Sequence, residues 1–202
     1  MSDINFENKT VVVTGAGNGL GKAYAMEFAK RGANVVVNDI GGSVDGAGSE
    51  NAPADIVVEE IKSNGGSAVA NYDSVATKEG GQSIIDTALN EFGSIHSVVN
   101  NAGILRDKSF AKMEEEDFNA IIDVHLKGTF FVCQPAFVQM KEQGFGRFVN
   151  VSSPSGLFGN FGQLNYGAAK MGIVGLTNVL AIEGMKYNIK ANAIAPNAAT
   201  RM

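Results

Sequence analysis

Short apolar runs alternate with longer stretches of helical spacing along the whole chain, and that alternation restricts the fold more than any other feature of the sequence. Thr10–Thr14 is a run of β-branched residues, the pattern of a strand buried on both faces. Comparable strands are predicted over Ala33–Asn38, Ser67–Asn71, His96–Asn100, Phe148–Val151 and Lys190–Ala195. Between them lie a helix through Ala23, Met26, Phe28 and Ala29 that ends near Arg31, and further helices over Ala54–Ser63, Gly80–Glu91, Glu114–Met140 and Tyr166–Tyr187. The fourth is expected to bend near Gly128 or Pro135. In the last, Gly172, Gly175 and Gly184 each cost about 1 kcal/mol against Ala, which suggests close approach of another helix or of a ligand. Gly41–Asn51 is polar and glycine-rich and reads as a long surface loop. Six strands separated by helices predict an α/β, doubly wound parallel sheet with helices on both faces. Right-handed crossovers limit its strand order to one beginning 3-2-1-4-5-6.

A chain of 202 residues, 45% of them apolar, can bury one substantial core, so residues 1–202 are taken as a single domain. The net charge of -5 is spread along the chain, which argues against a nucleic-acid partner but not against an anionic cofactor held by backbone amides. Cys133 is the only cysteine, so no internal disulfide can form, and two histidines do not suggest a metal site. No run approaches the length of a membrane span. The first ten residues lack the apolar region of a secretion signal.

In a sheet of this kind the ligand crevice lies beyond the C-terminal ends of the strands. Gly15–Gly21, Asp39, Asp73, Asn101–Gly103, Ser153 and Pro196 all fall at those ends. Gly15, Gly19 and Gly21, with Asn18 and Leu20 between them, form a tight turn with an uncluttered backbone before a helix N-terminus, suited to a pyrophosphate. A phosphate loop of the nucleotide-hydrolase kind would end Gly-Lys-Ser/Thr, but Ala23 follows Lys22. Asp39 ends the second strand, 18 residues after Gly21, where a carboxylate can take both adenosine ribose hydroxyls. It would repel a 2'-phosphate, and no Arg or Lys occurs from 33 to 61, so NAD is favoured over NADP. The alternative is an ordinary turn aspartate. Asp73 either contacts the adenine amine or caps the helix after Val75.

Tyr166 and Lys170 stand four residues apart, on one face if they share a helix. A free phenol titrates near 10, and a neighbouring ammonium is expected to lower that value. With a Ser153 hydroxyl aimed at the reacting oxygen, the three suit proton transfer to or from an alcohol or carbonyl. The bland reading is a half-buried helix tyrosine and a surface lysine.

Taken together, Thr14–Gly21 (TGAGNGLG), Asn100–Gly103 (NNAG), Ser153, and Tyr166 with Lys170 resemble the short-chain dehydrogenase/reductase family over essentially the whole chain. Asn38–Gly42, Asn71–Val75, Gly103–Asp107, Gly159–Gln163 and Ala195–Ala198 are further similar to the (3R)-hydroxyacyl-CoA dehydrogenase domains of peroxisomal multifunctional enzymes and their bacterial relatives. The resemblance implies a Rossmann-type fold, NAD as cofactor and NAD-dependent oxidation of a (3R)-hydroxyacyl-CoA to the 3-oxoacyl-CoA in fatty acid β-oxidation. It makes Tyr166 the general acid/base, Lys170 its partner and a nicotinamide-ribose ligand, and Ser153 the group that orients the substrate oxygen. Asn101, Ala102 and Gly103 would line the cofactor pocket, Asp73 and Val75 would frame the adenine, and Pro196 and Asn197 would border the nicotinamide. Many members carry an asparagine where this chain has His125, which either joins a proton relay to the lysine or packs inertly. Asn197 replaces a more usual glycine, as in the subgroup.

Family members usually continue with a helical segment over the substrate and a seventh strand, so a further C-terminal portion is expected beyond Met202. Helices 114–140 and 166–187 are expected to fill the core and to form a homodimer or homotetramer interface. The location implied is cytoplasmic in a bacterium, with a peroxisome possible in a eukaryote. Two other readings stand beside this one: a 3-oxoacyl-thioester reductase or other short-chain alcohol dehydrogenase, and a non-catalytic NAD-binding or scaffolding module.

Overall fold

Parallel pairing joins all the strands into one sheet in the computed structural model, which describes residues 4–48 and 51–198. Residues 49 and 50 of the polar loop, 1–3 of the N-terminal stretch and 199–202 lie outside the described residues. The strands are β1 (Thr10–Thr14), β2 (Asn34–Asn38), β3 (Ser67–Asn71), β4 (Ser97–Asn100), β5 (Gly146–Val151) and β6 (Ile189–Ile194). Their order is β3-β2-β1-β4-β5-β6, as the alternation predicts. The chain reverses direction across the sheet between β1 and β4, and this switch point places the C-terminal ends of both strands beside one crevice.

Alternate residues of a strand face opposite ways, so each buried strand feeds two cores. Val11, Val13, Val35 and Val37 pack against Ala25 and Ala29 of α1 (Gly19–Lys30) and Val57 and Ile61 of α2 (Ala52–Ser63). Val12, Val36, Val98 and Phe148 face the other way. There they meet Ile84 and Ala88 of α3 (Lys78–Phe92), Val132 and Ala136 of α5 (Gly128–Gln143), and Leu180 of α7 (Leu164–Gly184). A Cβ on Gly81 of α3 would lie 2.5 Å from the Phe131 carbonyl oxygen, so this glycine sets how closely α3 and α5 approach. In α7, Gly172 lies against Leu126 and Gly184 against Ile189, whereas among the described residues nothing lies within 4 Å of a Cβ placed on Gly175.

A buried polar chain crosses the second core. Asn100 and Asn150 are register partners on β4 and β5, and Asn100 Nδ2 donates to Asn150 Oδ1 at 2.9 Å. Asn150 Nδ2 donates in turn to Thr177 Oγ1 of α7 at 2.9 Å. Asn100 Nδ2 also reaches Cys133 Sγ at 3.1 Å, where burial pushes the thiol pKa up to about 12.

The expected long helix over 114–140 is three pieces: α4 (Glu115–Ile121), one π-helical stretch over Ile122–Lys127, and α5. The interruption falls just before Gly128 rather than at Pro135, which continues inside α5. A short helix, α6 (Pro154–Phe158), lies where the sequence reads as glycine-rich loop. Helix α7 starts at Leu164, before Tyr166, and passes into a 3-10 turn at Met185–Tyr187.

Candidate active site

The glycine turn after β1 is shaped by contact as well as by backbone conformation. Gly15 and Gly19 have φ of 62° and 54°, in the left-handed region that favours glycine. A Cβ on Gly21 would lie 2.1 Å from the Gly15 carbonyl oxygen, so Gly21 packs beneath the turn and does not line the cleft. Asn18 caps α1 without a side-chain hydrogen bond, and the first turn carries no acid. The N–H groups at that helix start are therefore free of side-chain caps, as binding of an anion requires.

Asp39 holds the neighbouring backbone with both carboxylate oxygens: Oδ2 accepts from Gly17 N at 2.8 Å and Oδ1 from Gly41 N at 2.7 Å. A cleft of about 390 Å³ opens between these loops, lined by Gly15, Asn18, Gly19, Leu20, Asp39 and Asp73 among others. Val75, Asn101, Ala102 and Gly103 line it too. Asn101 Nδ2 donates to the carbonyls of Thr14 and Gly15, both at 3.1 Å, fastening the end of β4 to the glycine turn. Asp73 does not cap α3: Thr77 does, its hydroxyl accepting from Gly80 N at 3.0 Å. Asp73 Oδ2 is held instead by Asn71 Nδ2 at 3.0 Å and Ser83 Oγ at 2.7 Å.

The loop after β2 folds over this cleft. Leu105 N donates to Val44 O at 2.8 Å and Arg106 Nε to Asp45 O at 3.0 Å, so Ser43, Val44 and Gly46 line the cleft together with Ile104 and Arg106. Sequence reasoning missed these residues, since a polar, glycine-rich composition announces a loop without saying what it lies upon.

Ser153, Tyr166 and Lys170 gather at the same C-terminal edge, next to the cleft rather than in its lining. Ser152 ends the strand run with its hydroxyl committed to packing, donating to the Lys170 carbonyl at 2.8 Å. Ser153 caps α6, accepting from Ser155 N at 3.2 Å. Tyr166 and Lys170 share α7, and Lys170 Nζ lies 5.4 Å from the Tyr166 ring centroid. Lys170 is 3% exposed and its Nζ donates to Val151 O at 2.7 Å, so it is no surface lysine. Burial alone lowers its pKa to about 7. The phenol behaves opposite to the sequence expectation. Burial raises the Tyr166 pKa, the Ser153 hydroxyl opposes that rise, and Asp107 adds to it. Lys170 is not among the groups that shift the phenol, and burial disfavours its own charge.

His125 lies in the π-helical stretch, 1% exposed, with its ring edge-on to Tyr166 at 5.1 Å between centroids. Its Nε2 lies 3.0 Å from Ile104 N and 2.8 Å from Ile104 O, and Nδ1 is buried with no partner among the described residues. Burial, with Lys170 nearby, holds its pKa well below the usual histidine range, so the ring is neutral. A Cβ on Gly103 would lie 2.4 Å from His125 Cε1, which explains why glycine stands there. Beyond β6, Pro196 is half-buried and Asn197 exposed, and neither lines the cleft. Among the described residues no group of His, Cys, Asp or Glu could hold a metal, and no helix is long and apolar enough to cross a membrane.

A switch-point crevice with an uncapped glycine turn, a carboxylate at the end of β2 and a tyrosine–lysine–serine group is consistent with an oxidoreductase that uses a nicotinamide dinucleotide. The chain belongs to the short chain dehydrogenase family, whose profile matches residues 9–202, and it is NAD-dependent. A short-chain type dehydrogenase/reductase of Mycobacterium tuberculosis is 60% identical over 97% of this chain and 68% of its own length. The peroxisomal multifunctional enzyme type 2 of Mus musculus is 56% identical across 100% of the chain, which spans only 27% of that longer protein. A crystal structure of a short chain dehydrogenase from Mycobacterium avium superposes with a TM-score of 0.89 at 46% identity, over 98% of this chain and 70% of that one.

Proposed function

We propose that the protein oxidises the 3-hydroxyl of a (3R)-hydroxyacyl-CoA to the 3-oxoacyl-CoA with NAD. The observation that carries the chemistry is the convergence of Ser153, Tyr166 and a buried Lys170 at one sheet edge beside the cofactor cleft. The acyl-CoA substrate rests on the subgroup motifs and on similarity to a peroxisomal multifunctional enzyme.

The chain's own residues suit NAD: the α1 N-terminus would take the pyrophosphate, Asp39 the adenosine ribose, and Asp73 and Val75 would frame the adenine. When bound it supplies the hydride acceptor. The substrate hydroxyl donates to the Tyr166 oxygen and is oriented by Ser153. Tyr166, as phenolate, takes the hydroxyl proton while the C3–H bond breaks and its hydrogen leaves with the bonding pair as hydride, giving the C3 carbonyl. Lys170, titrating near neutrality one turn away, can gain or lose a proton behind the phenol. Asp39 disfavours a 2'-phosphate and so argues against an NADPH-preferring reductase.

Tyr166→Phe tests the reading. It keeps the ring but not the proton, so NADH binding persists while turnover falls by roughly 10²–10⁴-fold. Comparable turnover in that variant rejects the assignment. Steady-state rates with the 3R and 3S isomers and both nucleotides test the substrate, and use of only the 3S isomer excludes the subgroup reaction. Self-association through α5 and α7 belongs to the same proposal, supported by exposed Phe130, Val138, Met171, Val179 and Ile182.

A further inference from the structure

Asn165 immediately precedes the tyrosine and is completely buried in the first turn of α7. Its Nδ2 donates to two main-chain carbonyls from different parts of the chain, Arg106 O at 3.0 Å and Asp117 O at 3.1 Å. Its Oδ1 accepts from Tyr166 N at 2.7 Å. The partners determine the orientation of this amide, since a flip would set its oxygen against two carbonyl oxygens and its nitrogen against an N–H. Both amide hydrogens are thus used to tie the start of α7 to α4 and to the segment that follows β4.

That segment also carries the cofactor side of the site. Asn101 is bonded to the glycine turn, Ile104 to His125, and Arg106 Nε to Asp45 of the loop over the cleft. Two more bonds run to the residues before α7: Gln163 Nε2 to Asp107 Oδ2 at 2.7 Å and Lys108 N to Gly162 O at 2.9 Å. Those two engage exposed side chains or loop backbone, whereas Asn165 makes the buried attachment.

We propose that Asn165 is a positioning residue: it clamps Tyr166 to the Asn101–Lys108 segment and so sets the phenol relative to Ser153 and the nucleotide cleft. The inference rests on Tyr166 being the proton-transfer group. Loosening the clamp lets the phenol drift from the Ser153 hydroxyl, the contact that opposes the rise in its pKa. A displacement of about 1 Å at a reacting group can cost two orders of magnitude in rate.

The test compares Asn165→Ala, Asn165→Asp and Tyr166→Phe in the full chain, reading NADH affinity by nucleotide fluorescence, kcat, and the pH dependence of oxidation. Asn165→Asp keeps the acceptor for Tyr166 N and removes both donors. The expected result for the Asn165 variants is NADH affinity within about twofold of the parent and kcat lowered at least about tenfold, with the pH–rate profile displaced to higher pH. A purely structural role lowers the yield or melting temperature of the variants but does not move the pH profile of the folded fraction. Unchanged kcat and profile in either folded variant overturns the proposal, and so does failure of both to fold. If Tyr166→Phe retains activity, the underlying reading fails instead.

Discussion

Lys170 illustrates how burial decides what a side chain can do. The spacing of Tyr166 and Lys170 was visible in the sequence because one helical turn separates them, but spacing carries no information about depth. The amine sits 3% exposed against a strand carbonyl, and burial of the phenol itself is the largest influence on its titration. The tyrosine therefore titrates above its ordinary value of 10.0. Ultraviolet titration of the parent minus Tyr166→Phe is expected to show that ionisation on the alkaline side. The rate of oxidation, which needs the deprotonated oxygen, is expected to rise with pH, and the rate of reduction to fall. A phenol ionising below its ordinary value contradicts this account. Asp39 makes a second prediction, because its carboxylate orders Gly17 and Gly41 and, in the proposed ribose-binding role, would oppose a 2'-phosphate. Asp39→Ser should reduce the preference for NAD over NADP by at least about tenfold, read as the ratio of kcat/KM values. The cap at Thr77, which displaces Asp73 from that role, shows the limit of reading neighbouring polar residues. Either could accept from a helix N–H, and only the backbone path chooses.

Among the elements, strands were the most legible, because runs such as Val11–Val13 and Val35–Val37 are buried on both faces and interrupted by no polar residue. Two features were not legible, and both lie at the site. Helix α6 spans only five residues, too few to display a period. The π-helical stretch hides because one additional residue per turn shifts the apolar stripe without breaking it, and such turns are frequent at functional sites. Here it carries His125, whose Nε2 is bonded to Ile104 and whose neutral ring rests on Gly103 and Tyr166. His125→Phe retains a ring of similar shape but loses the nitrogen partner. The Ile104 amide should then exchange its hydrogen about two- to tenfold faster, since a lost buried hydrogen bond is worth roughly 0.5–1.5 kcal/mol. Unaltered exchange at Ile104 excludes the ring as its anchor.

At the scale of the whole molecule the fold penalises the charged form of Lys170. The pKa falls from 10.5 to about 7 on folding, so between those values the unfolded chain holds a proton that the folded chain has released. Stability from this group is lowest below pH 7 and rises with pH above it. Denaturant unfolding of the cofactor-free protein should show the rise between about pH 7 and 8.5, and Lys170→Met should flatten it. An equal rise in both proteins assigns the effect elsewhere. The exposed apolar side chains of α5 and α7 belong to this scale as well: if a second copy covers them, Val179→Glu should shift the sedimentation coefficient toward that of a single chain. The polar chain through Asn100, Asn150 and Thr177 has a different effect. Valines repeat along these strands, so apolar contact alone scarcely distinguishes one longitudinal offset from another. A slip of one residue would leave two amides stranded in hydrocarbon, which makes the misaligned sheet expensive rather than the correct one especially cheap. The asparagines thus act as an indexing notch: replacing both with aliphatic residues should cost little free energy while admitting conformers in which Ser153 arrives at the wrong height.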